Sequence, residues 1–290
     1  MIARRLLTLP FRAIGLFSPF LMVEGLLAAA RSVRRNLALA AALARRELTS
    51  RHAGQFLGAL WAVGQPLFLM MLFVFIFGVV FGQRIGGTVE MPRDYTIYIL
   101  SGLVPWLSFI PGLVTSCQSV LGNGHLVKQF TIDAEMFTLK DTLLTLVFWV
   151  VGMAVIAVYT LVVNHSLPWT YVLIPVALFF QFSIGLGLGW AISAVTVFVR
   201  DMREFMQMAS TAGIYTLPIV YLPHWIPEIF RPFIYMNPFS YMIWVYQDIL
   251  YFGRIEHPWA WVVSLAFSLL SLTFGLRIFQ RLRPYFATYI

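Results

Sequence analysis

Six long apolar segments, almost free of charged residues, decide which solvent this chain can fold in. They lie near residues 56–82, 95–121, 139–163, 169–199, 206–222 and 259–279. A helix needs about 20 apolar residues to cross the hydrocarbon core of a bilayer, and these segments approach or exceed that length. With 60% of its 290 residues hydrophobic and only 11% charged, the chain cannot bury this much apolar surface in one soluble core. We therefore predict an all-α integral membrane protein with six transmembrane helices, in which residues 56–290 form the membrane domain.

The basic residues are distributed unevenly between the two sides of the predicted spans. Of the 20 basic residues, only Arg84, Arg93, Arg231 and Arg254 lie on the side opposite to the termini. Because cytoplasmic loops carry an excess of lysine and arginine, both termini are predicted to be cytoplasmic. The net charge of +8 then reflects topology and contact with anionic lipid, so no nucleic-acid partner is predicted.

The predicted spans lack the groups that usually accompany ion coupling or catalysis. Lys140, Asp141 and Arg277 lie only at span ends, whereas ion-coupled carriers keep ionisable side chains inside their spans. Cys117 is the single cysteine, and the five histidines do not have metal-ligand spacing. We predict no catalytic site, metal or cofactor on this chain, and an ATP-independent flippase is a less favoured alternative.

The segment before the first predicted span divides into two parts. Residues 1–30 form an extension of unclear role that imitates a signal peptide, but the arginines that follow argue against its translocation. Residues 31–55 are predicted to form an amphipathic interface helix on the membrane surface. At about 100° per residue, one arc holds Arg31, Arg34, Arg35, Arg45 and Arg46, and the opposite arc holds Val33, Leu37, Ala40 and Ala44. This helix is either a simple anchor or a contact for a cytoplasmic partner.

The loop between the second and third predicted spans, residues 122–137, is too long and too amphipathic for a simple turn. We predict a short helix within it. Its Asp133 and Glu135 have the spacing of the metal-holding carboxylates in nucleotide-sugar glycosyltransferases, so a membrane-embedded enzyme acting on lipid-linked sugars is an alternative. That alternative is disfavoured because no catalytic base or phosphate-binding loop accompanies the two carboxylates.

The stretch between the fifth and sixth predicted spans, residues 223–258, is rich in proline and in aromatic residues. It is too broken for one helix and too apolar to float in water, so two short re-entrant or interfacial helices are predicted. Asn237 followed by Pro238 is typical of a helix start, and that helix is predicted over residues 239–252. One stripe of it holds Tyr241, Trp244, Asp248 and Tyr251. Such a stripe belongs either to the aromatic belt of a membrane protein or to a surface on which sugar rings stack.

Five groups of motifs follow one another along residues 40–290. They are Arg45–Arg51 with Leu57–Leu67, Leu100–Trp106, Asn123 with Leu126–Lys128, Asn237–Phe239 with Asp248–Leu250, and Leu282–Ala287. In this order they resemble the membrane-spanning permease subunits of ATP-binding-cassette polysaccharide exporters, the family that exports O-antigen, capsule and polyol-phosphate polymers. The sequence departs from the family at Asp133 and Ala134, where a proline and a basic residue are usual, and at Gln247, where an arginine is usual.

The resemblance implies a permease that translocates lipid-linked surface polysaccharide, O-antigen-like or capsular, from the cytoplasm across the bacterial inner membrane. It also implies a homodimer with two separate ATPase subunits that bind ATP and Mg, because this chain has no phosphate-binding loop of its own. The chain would itself not be an enzyme. The implied ATPase interface comprises Arg45, Arg46, Glu47, Arg51, Asn123, Leu126, Lys128, Asp133 and Glu135. The implied glycan channel and external gate comprise Trp106, Tyr215, Trp225, Asn237, Tyr241, Trp244, Gln247, Asp248 and Tyr251.

Overall fold

A computed structural model describes residues 19–51, 54–80, 94–129 and 133–289, and the regular elements of these residues are helical. The helices are α1 (Pro19–Arg51), α2 (Trp61–Val74), α3 (Tyr95–Ser119), α4 (Gly124–Gln129), α5 (Glu135–Asn164), α6 (Ile174–Thr196), α7 (Met202–Thr216), α8 (Arg231–Met236), α9 (Pro238–Gln247), α10 (Pro258–Leu282) and α11 (Phe286–Tyr289). The predicted all-α class is therefore confirmed for these residues. The predictions for residues 1–18 and 81–93 lie outside the described part of the chain.

Five stretches of the described chain are long and apolar enough to cross a membrane. They are Trp61–Val80, Tyr95–Ser119, Glu135–Asn164, Trp169–Thr196 and Pro258–Tyr289. The stretch predicted over 206–222 differs, because α7 has 15 residues, about 22 Å at 1.5 Å per residue, and ends at Thr216. Leu217 is extended, as expected for a residue before proline, and Pro218 cannot continue the helix.

Helix α3 forms the centre of the bundle. Of the apolar span in α3, 83% is buried, compared with 11% of the span that contains α2. Helix α3 packs against α5, α6, α7 and α9, whereas α2 contacts the rest of the chain mainly through α5. Phe68, Met71 and Phe75 of the α2 span are consequently exposed, on a surface suited to lipid.

Helices α6 and α10 approach each other most closely at Gly187 and Gly275. A Cβ atom on Gly275 would lie 1.8 Å from the carbonyl oxygen of Gly187, so no side chain fits at this crossing. Gly189 of α6 lies against α5, since a Cβ atom there would be 2.8 Å from Thr138 Cγ2. Small residues thus allow the apolar helices to pack closely, as is usual in membrane proteins.

Helix α1 is one continuous helix, so the predicted interface helix begins earlier than residue 31. Pro19 does not break it, because proline is tolerated in the first helical turn. The five arginines of the predicted basic arc are exposed, as expected. The buried stripe consists of small residues that pack on α5 and α10, namely Gly25, Ala29, Ser32, Asn36, Ala40 and Ala44. Leu37, predicted to face inward, is instead exposed, because the small residues allow the closer approach on that side.

The two ends of the bundle carry different structures. At one end, called here the α1 end, α1 lies against the first turns of α5 and the last turns of α10. At the other end, residues 223–257 form a hairpin that contains α8 and α9, so the two predicted short helices are present. The predicted helix start is confirmed, since Asn237 Oδ1 accepts a hydrogen bond from the Phe239 backbone N–H at 3.1 Å.

Candidate partner cleft and gate region

An open cleft of about 360 Å³, the α1 cleft, lies between α1 and the loop that carries α4. Its lining comprises Leu39, Leu43, Arg46, Glu47, Ser50, Asn123, Leu126, Met136, Phe137 and Lys140. The cleft brings together four residues of the predicted partner contact, Arg46, Glu47, Asn123 and Leu126, from two separate parts of the chain. A lining that combines apolar and charged side chains suits the insertion of an amphipathic segment of another protein.

A network of charged side chains reaches the floor of the α1 cleft, which two of its members, Glu47 and Lys140, line. Lys140 Nζ of α5 lies 2.5 Å from Glu47 Oε2 of α1 and 3.0 Å from Asp141 Oδ1. Arg51 Nη2 pairs with the other oxygen of Glu47 at 2.7 Å. Asp141 also accepts a hydrogen bond from the Ser119 hydroxyl at the end of α3. The network therefore connects the surface helix to two helices of the bundle.

The surroundings of Glu47 keep its carboxyl group ionised. Burial raises the pKa of this carboxyl, but the hydrogen bonds and positive charges of Lys140 and Arg51 outweigh burial and hold its pKa below the usual value. Glu47 is thus a fixed negative charge at neutral pH. This charge orients the Lys140 ammonium group at the base of the cleft.

The remaining residues of the predicted partner contact have different positions. Arg45 is exposed on α1 outside the cleft lining, and the side chain of Lys128 lies outside the described part of the chain. Asp133 pairs with Arg35 at 2.7 Å and with Arg283 at 3.3 Å.

Glu135 is packed inside the subunit and does not lie on the predicted contact surface. It is 1% exposed, and its carboxylate accepts hydrogen bonds from the Ser32 hydroxyl and from Gln280 Nε2. The carboxylates of Asp133 and Glu135 thus have separate partners within the chain. This pairing explains both residues as links between α1, the start of α5 and the C-terminal helices.

Sequence reasoning did not assign Lys140, Met136 or Phe137 to the cleft. Lys140 was noted only as a charge at a span end. A lysine and an aspartate placed together in the first two turns of a long apolar helix mark the membrane edge, and charged groups buried there need hydrogen-bonding or charged partners. That requirement, together with Glu47 and Arg51 at helical i,i+4 spacing, is the signal that could have indicated the network.

At the hairpin end, the chain is not helical directly after α7, yet the segment Leu217–Leu222 is largely buried. Side chains satisfy its carbonyl groups: Gln247 Nε2 donates to Pro218 O at 2.7 Å, Tyr98 Oη donates to Tyr221 O at 3.1 Å, and Tyr95 Oη donates to Val220 O. Irregular backbone at membrane depth is stable only with such partners. We call this arrangement the α7 clamp, and Gln247 belongs to it.

A buried carboxylate joins the end of α9 to the start of α10. Asp248, 1% exposed, accepts hydrogen bonds from the His257 backbone N–H at 3.1 Å and from Trp261 Nε1 at 3.0 Å. Its other oxygen lies 2.8 Å from His257 Nδ1. The Trp244 ring stacks on the His257 ring with centroids 5.4 Å apart. Asp248 thereby holds the hairpin against the last span.

The nine residues of the predicted channel and gate do not form one surface of the subunit. Five are buried within it: Trp106, Trp244, Gln247, Asp248 and Tyr251. Trp106 packs against α7 and donates to Ser210 O at 3.1 Å, and Tyr251 packs edge-on against Tyr98. These five contribute to packing, so they do not line an open path in this conformation. Tyr215 and Trp225 are exposed, while Asn237 and Tyr241 are half-buried.

The bundle of long apolar helices, with a charged cleft beside a surface helix and a packed hairpin, is typical of a multi-pass membrane protein. A family model described as ABC-2 type transporter matches residues 39–251. The chain belongs to this family.

Curated relatives extend over most of the chain. An O-antigen export system permease protein RfbA of Klebsiella pneumoniae is 27% identical over 247 residues, which cover 84% of this chain and 92% of that protein. A protein of the same name from Myxococcus xanthus is 25% identical and covers 89% of this chain and 97% of its own length. The polysialic acid transport protein KpsM of Escherichia coli is 21% identical, over 82% of this chain and 91% of that protein. The resemblance to permeases of polysaccharide exporters is therefore confirmed.

Proposed function

We propose that this chain is the permease subunit of an ATP-driven exporter that moves lipid-linked surface polysaccharide from the cytoplasm across the inner membrane. The α1 cleft is the observation that carries the proposal, because it offers a docking surface for a separate ATPase. The names of the relatives, O-antigen export permeases and a polysialic acid transport protein, support a glycan as the cargo.

The proposed topology has six crossings with both termini in the cytoplasm. Helix α7 and the clamped segment Leu217–Leu222 together form the fifth crossing, since the α7 clamp satisfies the backbone where the helix ends. The α1 end then faces the cytoplasm and the hairpin end faces outward. The arginines of α1 support this orientation through the positive-inside rule.

Coupling to ATP hydrolysis is proposed to run through the α1 cleft. Two ATPase subunits, which carry ATP and Mg, would dock on the clefts of two permease copies and press on them as they close. The Glu47–Lys140 pair links the cleft wall to α5, and Asp141 links α5 to the end of α3 through Ser119. A push on α1 is thereby transmitted to the most buried helix of the bundle.

Two copies of the chain are proposed to enclose the glycan path between them. Helix α7 presents Phe205, Met208 and Tyr215 away from its own bundle, each more than 60% exposed. Such a surface suits a two-fold contact with a second copy. Tyr215, Trp225 and Tyr241 are the aromatic members of the predicted channel set that remain accessible, and their rings offer stacking faces to sugars.

A charge reversal in the cleft tests this proposal. Arg46→Glu should abolish binding of the ATPase subunit and export of the glycan, because it places a negative charge at the edge of the docking surface. Arg31→Glu is the matched control, since Arg31 is exposed on the same helix but does not line the cleft. Full binding and export by Arg46→Glu, or equal defects in both variants, would contradict the assignment of the cleft.

A further inference from the structure

A second groove, the α2 groove, lies between α2, α3 and α5 and has a volume of about 380 Å³. Its walls are mainly apolar and include Pro66 and Leu69 of α2, Leu107 and Pro111 of α3, and Leu144 and Phe148 of α5. The groove exists because α2 packs on α5 and makes few contacts with α3. Because α2, α3 and α5 belong to candidate membrane spans, the groove lies inside the apolar layer, where hydrocarbon chains surround the protein.

The groove continues at the α1 end into a polar cavity of about 240 Å³. Arg51, Thr115 and Asp141 line both spaces, so the two cavities adjoin. The polar cavity adds Gln118 of α3 and Arg203 of α7 to this lining. An apolar slot thus leads directly to a charged pocket at the edge of the membrane.

The polar cavity has an excess of positive charge. It is lined by the cations Arg51, Lys140 and Arg203 and by the anions Glu47 and Asp141. Both carboxylates are already paired, Glu47 with Arg51 and Lys140, and Asp141 with Lys140. Within the described part of the chain, the exposed Arg203 has no carboxylate partner. A negatively charged group is therefore favoured in this cavity.

We propose that the α2 groove and the polar cavity bind one anionic phospholipid of the bilayer, an assignment that goes beyond the proposed export function. Its phosphate contacts Arg203 and Arg51, with Gln118 as a further donor, and one acyl chain occupies the α2 groove. The charge of the cavity and the apolar slot beside it match the two halves of such a molecule. A basic pocket between transmembrane helices is a typical site for an anionic lipid headgroup.

The proposed lipid would lie against the charged network, because Glu47, Arg51, Lys140 and Asp141 all line the polar cavity. Its phosphate would share Arg51 with Glu47, and Glu47 holds Lys140. Because a ligand that binds the folded chain and not the unfolded chain raises its stability, a lipid bound here stabilises the fold. The expected consequence is a higher unfolding temperature of the purified chain with phosphatidylglycerol than with phosphatidylethanolamine.

Lipid binding can be measured on the full-length chain alone by native mass spectrometry after delipidation in detergent. Phosphatidylglycerol, phosphatidylethanolamine and a polyprenyl phosphate are added separately at equal concentrations. We expect phosphatidylglycerol to bind best and Arg203→Gln to weaken it about fivefold, the typical contribution of one arginine near an anionic lipid. Arg200→Gln, a change at a nearby exposed arginine that lines neither cavity, should leave binding unchanged.

A second pair of variants tests the acyl-chain slot. Ala62→Phe places a ring in the α2 groove and should reduce phosphatidylglycerol binding, whereas Val63→Phe, at an exposed position of α2, should not. Equal binding of the two phospholipids, equal effects of the two arginine variants, or equal effects of the two phenylalanine variants would overturn the proposal. Preferential binding of the polyprenyl phosphate would also overturn it, in favour of the cargo's lipid carrier. Because no ATPase or glycan is needed, failure here is distinct from failure of the proposed function.

Discussion

Glu47 of α1 and Lys140 of α5 form an ion pair of 2.5 Å at the floor of the α1 cleft. The pair is only partly exposed, with 14% of the lysine side chain and 26% of the glutamate side chain accessible. It is a direct charged link between the surface helix and the third span. Its strength can be isolated from that of its neighbours.

A double-mutant cycle of Glu47→Gln and Lys140→Gln measures that link. Each single change breaks this ion pair, although Glu47 keeps Arg51 and Lys140 keeps Asp141. The losses of unfolding free energy in the two single variants should therefore add up to more than the loss in the double variant. The coupling energy should fall within about 0.5–3 kcal/mol, measured by denaturation in detergent. A coupling energy of zero would mean that the pair does not hold α1 to α5.

The contribution of Glu47 should depend on pH in a defined direction. Its pKa lies below the usual 4.5 in the folded chain, so its stabilising effect is complete above pH 4.5 and is lost as the pH falls through the lowered pKa. The difference in unfolding temperature between the unmodified chain and Glu47→Gln should therefore be constant near neutrality and shrink in strong acid. A difference that grows on acidification would contradict the ion-pair assignment.

At the crossing of α6 and α10, a single added methyl group should strongly destabilise the fold. Gly275→Ala should lower the free energy of unfolding by about 1–3 kcal/mol, because its Cβ atom would overlap the Gly187 carbonyl oxygen. Gly122→Ala is the control, since a Cβ atom there would meet nothing within 4 Å. Thermal unfolding in detergent compares the two variants, and similar stabilities would show that the helices separate at this crossing.

The α7 clamp predicts a role for Gln247 that a channel-lining residue would not have. Gln247→Leu removes a buried donor to the Pro218 carbonyl and should cost about 1–3 kcal/mol of stability. Tyr241→Phe removes a hydroxyl whose hydrogen bond to Tyr235 O is solvent-exposed, so its effect on stability should be much smaller. If Gln247→Leu changed export while leaving the unfolding transition unmoved, Gln247 would belong to the glycan path.

Asp248 should matter through its hydrogen bonds as well as its charge. Asp248→Asn replaces one of the two acceptor oxygens with an NH₂ group. The remaining oxygen cannot accept from Trp261 Nε1 and the His257 backbone N–H and also contact His257 Nδ1. The substitution should loosen the hairpin. Limited proteolysis of membranes whose outer face is accessible to the protease should then show faster cleavage within residues 223–257. Unchanged cleavage would mean that the hydrogen bonds of Asp248 do not hold the hairpin.

Much of the fold followed from local sequence signals. Apolar length alone indicated the five long spans, and the Asn237–Pro238 pair correctly predicted a capped helix start. The arginine arc of α1 was also correct. These features depend on residues close together in the chain, so helical periodicity and capping chemistry are sufficient to predict them.

The features that the sequence did not reveal depend on distant parts of the chain. An aromatic stripe has the same spacing whether it lines a path or packs in a core, and the burial of Trp244 and Tyr251 depends on α10 and α3. The inward placement of Glu135 likewise requires Ser32 and Gln280, which are more than 100 residues away. The end of α7 at Thr216 could have been predicted from the sequence, because Pro218 follows two residues later and proline cannot continue a helix.

Copurification of the tagged chain from native membranes tests most directly whether this permease works with a separate ATPase. Mass spectrometry would identify the bound proteins, and an ATPase assay would be made on the same eluate. We predict a stoichiometric ATP-binding-cassette ATPase that is retained by Arg31→Glu and lost from Arg46→Glu. A chain that purifies from intact membranes without any nucleotide-hydrolysing partner would contradict the proposed mechanism.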